Sequence, residues 1–362
     1  MVKNDLRYWV GFNIVPGIGR VKFSQLQSYF KDLADAWQAP AAELKKAGLD
    51  NGTVQAMVEL RPKIDLDAEM AKLEKLQIKA IRCLDTEYPE SLKEIFDYPP
   101  LLYIKGRLAE EAEPCLAVVG TRSPTVYGRQ VAEIMAEELA QNGICVVSGL
   151  ARGIDTAAHR RTLEKGGRTL AVLAGGLDSI YPAENNLLAR RICENGALVS
   201  EYPVGAKPRP ENFPRRNRIM SGMSLGVLVI EADEASGAII TANIAAEQNR
   251  EVFAVPGSIL SPKSRGTNKL IQDGAKLVRN SRDILEELNI AVTEQQITLP
   301  EKAEVSETED LLLKQLSSEP LHIDLVCRRC GLPAATVSSN LALLELKGLV
   351  RQVNAMNFVL AR

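Results

Sequence analysis

The stretch Leu116-Ala117-Val118-Val119-Gly120-Thr121-Arg122-Ser123 decides how the chain is read. Four apolar residues, two of them β-branched, are too few for a helix and suit a strand buried on both faces. They run directly into a glycine, a hydroxyl and a guanidinium. Short apolar runs recur downstream at 144–147, 169–173, 197–199, 227–230 and 252–255, and most intervals between them carry helical periodicity, as in 128–141 and 239–248. Strands apolar on both faces, separated by helices, predict an α/β fold with a Rossmann-like parallel sheet.

Working outward, residues 1–80 read as short helices, with apolar residues three and four apart and Pro16, Pro40 and Pro62 as punctuation. Within them, Val15-Pro16-Gly17-Ile18-Gly19-Arg20 looks like a helix-hairpin-helix turn. Two readings stand: the glycines open backbone amides at a helix start to a phosphate, or the turn simply packs. The core is expected over 81–285, entered through Tyr88-Pro89 and a loop with Tyr98-Pro99-Pro100. Residues 286–308, with six Glu against one Lys, read as a solvated acidic linker. In 309–362, helices are expected at 310–316, 323–330 and 334–347, with Gly331-Leu332-Pro333 before the last and Gly348 ending it. The alternation over 350–360, turning at Asn354, adds a hairpin and completes a winged helix-turn-helix.

The 362 residues allow two to three domains at about 150 each. With 46% hydrophobic and 25% charged residues, the chain is neither disordered nor fibrous. Net charge is −2, so any anionic polymer must meet a local patch. That patch belongs in 115–285, where 21 Lys/Arg, mostly Arg, face 17 Asp/Glu, while both flanking segments are net acidic. Only two histidines, His159 and His322, are present, and the lone Cys327-x-x-Cys330 has no second pair nearby, so no metal site is expected. No secretory leader and no run of about 18 apolar residues interrupts the pattern, which implies a soluble, cytoplasmic protein without membrane insertion.

In an open parallel sheet, ligands bind beyond the carboxyl ends of the strands. The first run ends in Gly120, Thr121, Arg122 and Ser123, the second in Ser148, Gly149, Leu150, Ala151, Arg152 and Gly153, and the third in Gly175 and Gly176. The fifth leads past Glu231 to Ser236 and Gly237 at a helix start. Small residues admit close backbone approach, and amides, hydroxyls and guanidiniums all donate to anions. The densest basic cluster is Phe213-Pro214-Arg215-Arg216-Asn217-Arg218, three arginines and no lysine, beside an aromatic. Planar guanidiniums suit phosphate forks and bases. Tyr127, Tyr181, Tyr202 and Phe213 are either stacking platforms or core aromatics. No nicotinamide fingerprint or Walker A loop is present, and Asp155 with His159, four apart on one helix, read as a helix-stabilising pair rather than a catalytic one. No catalytic constellation and no cofactor site is expected.

These residues, with Tyr88-Pro89, Leu92, Leu101-Leu102-Tyr103, Tyr127-Gly128, Ile154-Asp155, Tyr181-Pro182, Asn185, Ser200-Glu201-Tyr202-Pro203, Thr241-Ala242, Val255-Pro256-Gly257 and Gly266-Thr267-Asn268, resemble the DprA/Smf family of DNA-processing proteins. The motifs span about 190 residues. Members look like an N-terminal sterile-alpha-motif or hairpin-type module, a Rossmann-like core and a winged helix. The resemblance implies a homodimer that binds and protects single-stranded DNA in the core crevice and loads RecA recombinase in natural transformation. Arg122, in the turn Gly120-Thr121-Ser123, would be the main phosphate contact. Phe23 stands in the N-terminal hairpin where a small residue is usual, so that turn is not counted as a DNA contact.

Two rivals come from other classes. A nucleotide-cleaving phosphoribohydrolase shares a Rossmann-like fold with Gly-rich strand ends, but its P-G-G-x-G-T-x-x-E stretch is absent. A duplex-reading transcription factor would use helix 334–347, which has one basic residue and several Leu, a poor phosphate surface.

Overall fold

The computed structural model describes residues 3–110, 113–290, 306–317, 319–354 and 356–360. They fall into two compact units that divide between residues 292 and 293.

The first unit is built on nine strands: β1 Lys79–Arg82, β2 Leu101–Gly106, β3 Cys115–Val119, β4 Cys145–Ser148, β5 Thr169–Val172, β6 Gly196–Ser200, β7 Gly226–Val229, β8 Glu251–Ala254 and β9 Lys276–Leu277. Their order across the sheet is β1-β2-β6-β5-β4-β3-β7-β8-β9. The run from β6 to β9 is parallel throughout. All six apolar runs read from the sequence are strands of this run. The antiparallel extension β2-β1 and the short edge β9 were not read as strands. Their segments are two to six residues long, too brief for the two-residue alternation that marks a strand to stand out.

Side-chain alternation explains why both faces are covered. Leu116 and Val118 of β3 join Ala132, Met135 and Leu139 of helix Val126–Gln141 in one apolar cluster. Ala117 and Val119 join Ile219 and Met220 of helix Asn212–Gly222, with Ala238, Ala242 and Ala245 of helix Gly237–Glu247, on the other face. A third cluster runs from the N-terminal helices, through Trp9, Phe12, Phe23 and Trp37, to Ala80 of β1, Tyr103 of β2 and Leu173 after β5. Phe23, the unusual residue of the N-terminal hairpin, is buried and stacks on Trp9 at 5.0 Å between ring centroids. The helical region therefore shares its core with the sheet.

Strands β3, β4, β5 and β6 are laid down in one direction from β3, and β7, β8 and β9 in the other. The order reverses between β3 and β7, and an open α/β sheet forms its crevice at such a point.

The second unit holds helices Glu307–Leu313, Ile323–Cys330 and Ala334–Leu346 and a three-stranded sheet, β10 Leu321–His322, β11 Val350–Asn354 and β12 Asn357–Leu360, in the order β10-β12-β11. Ser306 caps the first helix through a reciprocal contact with Glu309, and Gly331 ends the second in a left-handed conformation. This is the winged helix, with Leu312, Val326, Val337, Leu341, Leu344 and Phe358 at its centre. The expected linker starts inside helix Ser281–Glu287, and its residues 291–305 lie outside the described residues.

Candidate nucleic-acid interface

The turn after β3 is held from three sides. The Thr121 N–H donates to the Glu231 carbonyl at 2.7 Å, and the Thr121 carbonyl accepts from the Ile154 N–H at 3.2 Å. Glu231 is buried, and its carboxylate accepts from the Thr125 N–H at 2.9 Å and from the Thr125 hydroxyl. A Cβ on Gly128 would come within 2.2 Å of that carboxylate. Glycine is needed there because the carboxylate fills its space. Thus β7 and two helix starts fix the one turn that carries Arg122.

Arg122 and Ser123 are exposed on this frame. The Arg122 guanidinium lies 5.5 Å from the Phe213 ring centroid, and Phe213 meets Tyr181 edge to face at 6.2 Å. Tyr181 is 55% exposed, so the array faces solvent rather than core. An arginine beside two aromatic rings supplies a phosphate fork and stacking surfaces together. Lys263 adds a second cation: its Nζ donates to Ser123 Oγ at 3.0 Å and lies 3.4 Å from Thr121 Oγ1. The sequence analysis missed Lys263. It lies nine residues beyond the end of the eighth strand, and the Ser-Pro-Lys-Ser segment around it has no pattern of its own.

The arginine cluster separates into different roles. Arg215 is exposed. Arg216 is buried, 4% exposed, and its Nη1 lies 2.9 Å from Met220 Sδ. Burial lowers its pKa to about 10. Its guanidinium occupies the space beside Gly149, where a Cβ would fall 1.7 Å from Nη1. Arg216 therefore underlies the crevice, and Gly149 is required by that packing. Arg218 is ion-paired with Glu201 and, at 3.1 Å, with Asp97. Asn217 is buried, with its amide 3.5 Å from the Gly237 carbonyl. Arg216, Asn217 and Arg218 support the groove from beneath: Arg216 Nε and Arg218 Nη1 lack a hydrogen-bond partner among the described residues but are buried away from its surface.

The remaining strand ends divide in the same way. Ser148 is fully buried and donates to the Val118 carbonyl at 2.6 Å, tying β4 to β3. Gly175 and Gly176 are buried; the Gly176 N–H is used by the Ala206 carbonyl at 2.8 Å, and a Cβ on Gly175 would meet that carbonyl at 2.9 Å. Their glycines allow a close backbone approach rather than an open anion nest. Arg152 is exposed and bidentate to Glu184 at 2.8 and 2.9 Å. Such a surface pair costs little to exchange for another anion. Gly153 has φ +80°, and a Cβ there would lie 2.3 Å from the Thr121 carbonyl. Only glycine lets this turn touch the Arg122 turn. Gly120 faces Ile154, and Ser236 caps the helix that begins at the exposed Gly237. Tyr127 donates to the Pro256 carbonyl at 2.9 Å, and Tyr202 is half-buried.

Asp155 and His159 do not pair with each other, contrary to the helix-stabilising reading. Asp155 accepts from the Ala151 N–H at 3.2 Å, and burial raises its pKa. His159 Nδ1 lies 2.6 Å from Thr169 Oγ1, whose own proton goes to the Val146 carbonyl, so Nδ1 is the donor. Burial, aided by the charge of Arg216, lowers the His159 pKa to about 3. The ring is neutral and structural. No group of three or more His, Cys, Asp or Glu capable of holding a metal occurs among the described residues, and no helix among them is long and apolar enough to cross a membrane.

Comparison with known proteins agrees with this geometry. Residues 79–289 match the family described as DNA recombination-mediator protein A, and residues 298–356 match the DprA winged helix domain. The chain is 38% identical to protein Smf of Escherichia coli, covering 86% of this chain and 85% of that one. It is 42% identical to the DNA processing protein DprA of Bacillus subtilis, covering 70% and 84%. The X-ray structure of DprA from Streptococcus pneumoniae superposes with a TM-score of 0.69 at 38% identity, covering 78% of this chain and 97% of that one. DNA processing protein A from Helicobacter pylori, whose structure is described by its single-stranded DNA binding mode, gives a TM-score of 0.53 at 31% identity over 59% and 96%. On its sheet core and its winged helix together, the chain belongs to the DNA recombination-mediator protein A family, also called DprA/Smf.

Proposed function

We propose that the crevice between the ends of β3 and β7 binds the backbone of single-stranded DNA. In this reading the chain acts in the cytoplasm as a homodimer that protects the strand and loads a RecA-type recombinase. The observation that carries the binding is the Arg122–Phe213–Tyr181 array beside Lys263 and Ser123. Membership of a recombination-mediator family and the single-strand binding described for the Helicobacter pylori relative support it. Arg122, Lys263 and Arg215 take phosphates, Arg152 does so after releasing Glu184, and the aromatic rings stack on unpaired bases. Gly149, Gly153, Gly175, Gly176, Ser148, Arg216 and Arg218 shape the groove. The same reading divides the chain into a helical module at 1–80, the binding core at 81–285, an acidic linker at 286–308 and the winged helix at 309–362.

The test is a titration of labelled oligo-dT and of a duplex of equal length at several salt concentrations. The single strand should bind more tightly, with log affinity falling against log salt by about 0.7 per phosphate neutralised. Equal or tighter binding of duplex would transfer the function to another surface, and nucleotide consumption by the purified chain would favour the enzyme rival.

A further inference from the structure

A path of polar contacts, continued through short backbone segments, joins the N-terminal hairpin to the helix that carries the basic cluster. Arg20, the last residue of the hairpin turn, donates to the Phe96 carbonyl, and its guanidinium lies 4.4 Å from the Tyr98 ring centroid and 5.3 Å from that of Phe96. Between these aromatics is Asp97, which pairs with Arg218 Nε at 3.1 Å. Arg218 pairs on its other side with Glu201. The Glu201 carbonyl accepts from Asn13 Nδ2 at 3.3 Å, and Asn13 Oδ1 accepts from the Tyr103 hydroxyl at 2.9 Å. Asn13 lies in the last turn of helix Lys3–Ile14, which enters the hairpin, so the backbone between residues 13 and 20 closes the path.

The two cations of the hairpin are both engaged inside the protein. Arg20 is held by two rings and a carbonyl, and Lys22 by Asp50 and Thr53. Helix Arg20–Tyr29 has no acidic residue in its first turn, but both of its N-terminal cations are taken up by groups of the protein itself. The hairpin is therefore equipped to hold the core rather than a strand. What it reaches, through the segments that carry Asp97 and Glu201, is Arg218, three residues beyond the exposed Arg215 on the same helix. Residues three apart share a helix face, so fixing Arg218 fixes the roll of the helix and the direction of Arg215 and Phe213.

Resting on the proposed single-strand binding, we propose that the N-terminal hairpin is a positioning clamp: Arg20 and Asn13 set Asp97 and Glu201 on Arg218, and so aim Phe213 and Arg215 into the crevice. Arg20 and Asn13 are positioning residues and do not touch DNA. A released helix can still make all its phosphate contacts, but the strand must first restore its orientation.

The experiment measures affinity of the full chain for labelled oligo-dT, together with its salt slope, in Arg20→Ala, Asn13→Ala, Arg218→Ala and the Arg20→Ala/Arg218→Ala double variant. Thermal melting checks that each is folded. The expected result is a three- to tenfold loss in each single variant with the salt slope unchanged, and a double variant no weaker than the weaker single. Unchanged affinity in folded Arg20→Ala would overturn the clamp. A slope flattened by about 0.7 would also overturn it, since that is the signature of a lost phosphate contact. Additive losses in the double variant would do the same. Where Arg20→Ala fails to fold, Asn13→Ala and Tyr98→Leu carry the test, because neither removes a charge. A wild-type chain that binds no single strand overturns the functional reading itself, which separates that failure from failure of the clamp.

Discussion

The two ends of the nine-stranded sheet are built from opposite chemistry. Beyond the carboxyl ends of β3 and β7 stand Arg122, Ser123, Lys263 and the start of helix Gly237–Glu247. At the other end, where β3 begins at Cys115 and Leu225 leads into β7, lies a cavity of about 620 Å³. Tyr88, Leu108, Ala109, Cys115, Met223 and Leu225 are among its lining residues, with Glu87, Glu90, Glu110 and Glu113 against Lys79 and Arg107. By size this second end is the better ligand hole. By charge it is the wrong one for a polyanion. Helices in a parallel α/β sheet point their N-terminal amides toward the strand carboxyl ends and their carbonyls toward the opposite end. The comparison teaches that the sign of the backbone dipoles and of the side chains, rather than cavity volume, singles out the surface suited to a polyanion.

The harshest way to break the comparison is to spoil the donor-rich end without removing a charge. Gly153→Ala places a Cβ against the Thr121 carbonyl at a φ of +80°. It should destabilise the protein by on the order of 3 kcal/mol, read as the shift of a urea midpoint, and abolish single-strand binding. Arg122→Ala should leave the melting temperature nearly unchanged and weaken oligo-dT binding by about 1.5–3 kcal/mol, with a flatter salt slope. Unchanged affinity and slope in the folded variant would show that this end is not the DNA site. Lys263→Ala sharpens the picture, because its amine shares the Ser123 hydroxyl and stands beside no carboxylate pair among the described residues. Its loss should cost about 1 kcal/mol in the same titration. The smallest effect belongs to the opposite end: Ala109→Trp, filling the cavity, should leave affinity and salt slope where they were. A loss comparable to that of Arg122→Ala would mean that the two ends are coupled.

Much of the core was legible because the parallel strands β3 to β8 are short apolar runs, and β3, β4 and β6 run into a glycine or end in a serine. The strand ends where donor-rich turns gather were legible too, because glycine, hydroxyl and guanidinium side chains follow β3 and β4 directly in the sequence. The antiparallel strands Lys79–Arg82 and Leu101–Gly106 were not, because antiparallel pairing is a relation between two segments and leaves little mark within either. Asp155 and His159 mislead for a related reason. Their spacing suggests a pair, yet His159 finds Thr169 on a neighbouring strand, and Asp155 finds the amide of its own turn.

The sequence by itself determined six of the parallel strands, the winged helix and which arginines are candidates for holding phosphate, because periodicity and residue chemistry are local properties. Only the tertiary structure decided which arginines are free to do so. Arg122 and Arg215 reach solvent, Arg216 is folded beneath Gly149, and Arg218 is neutralised by Glu201 and Asp97. Four arginines of identical chemistry thus take three roles. The physical reason is that burial and ion pairing depend on groups brought from distant parts of the chain, whose approach no local pattern records.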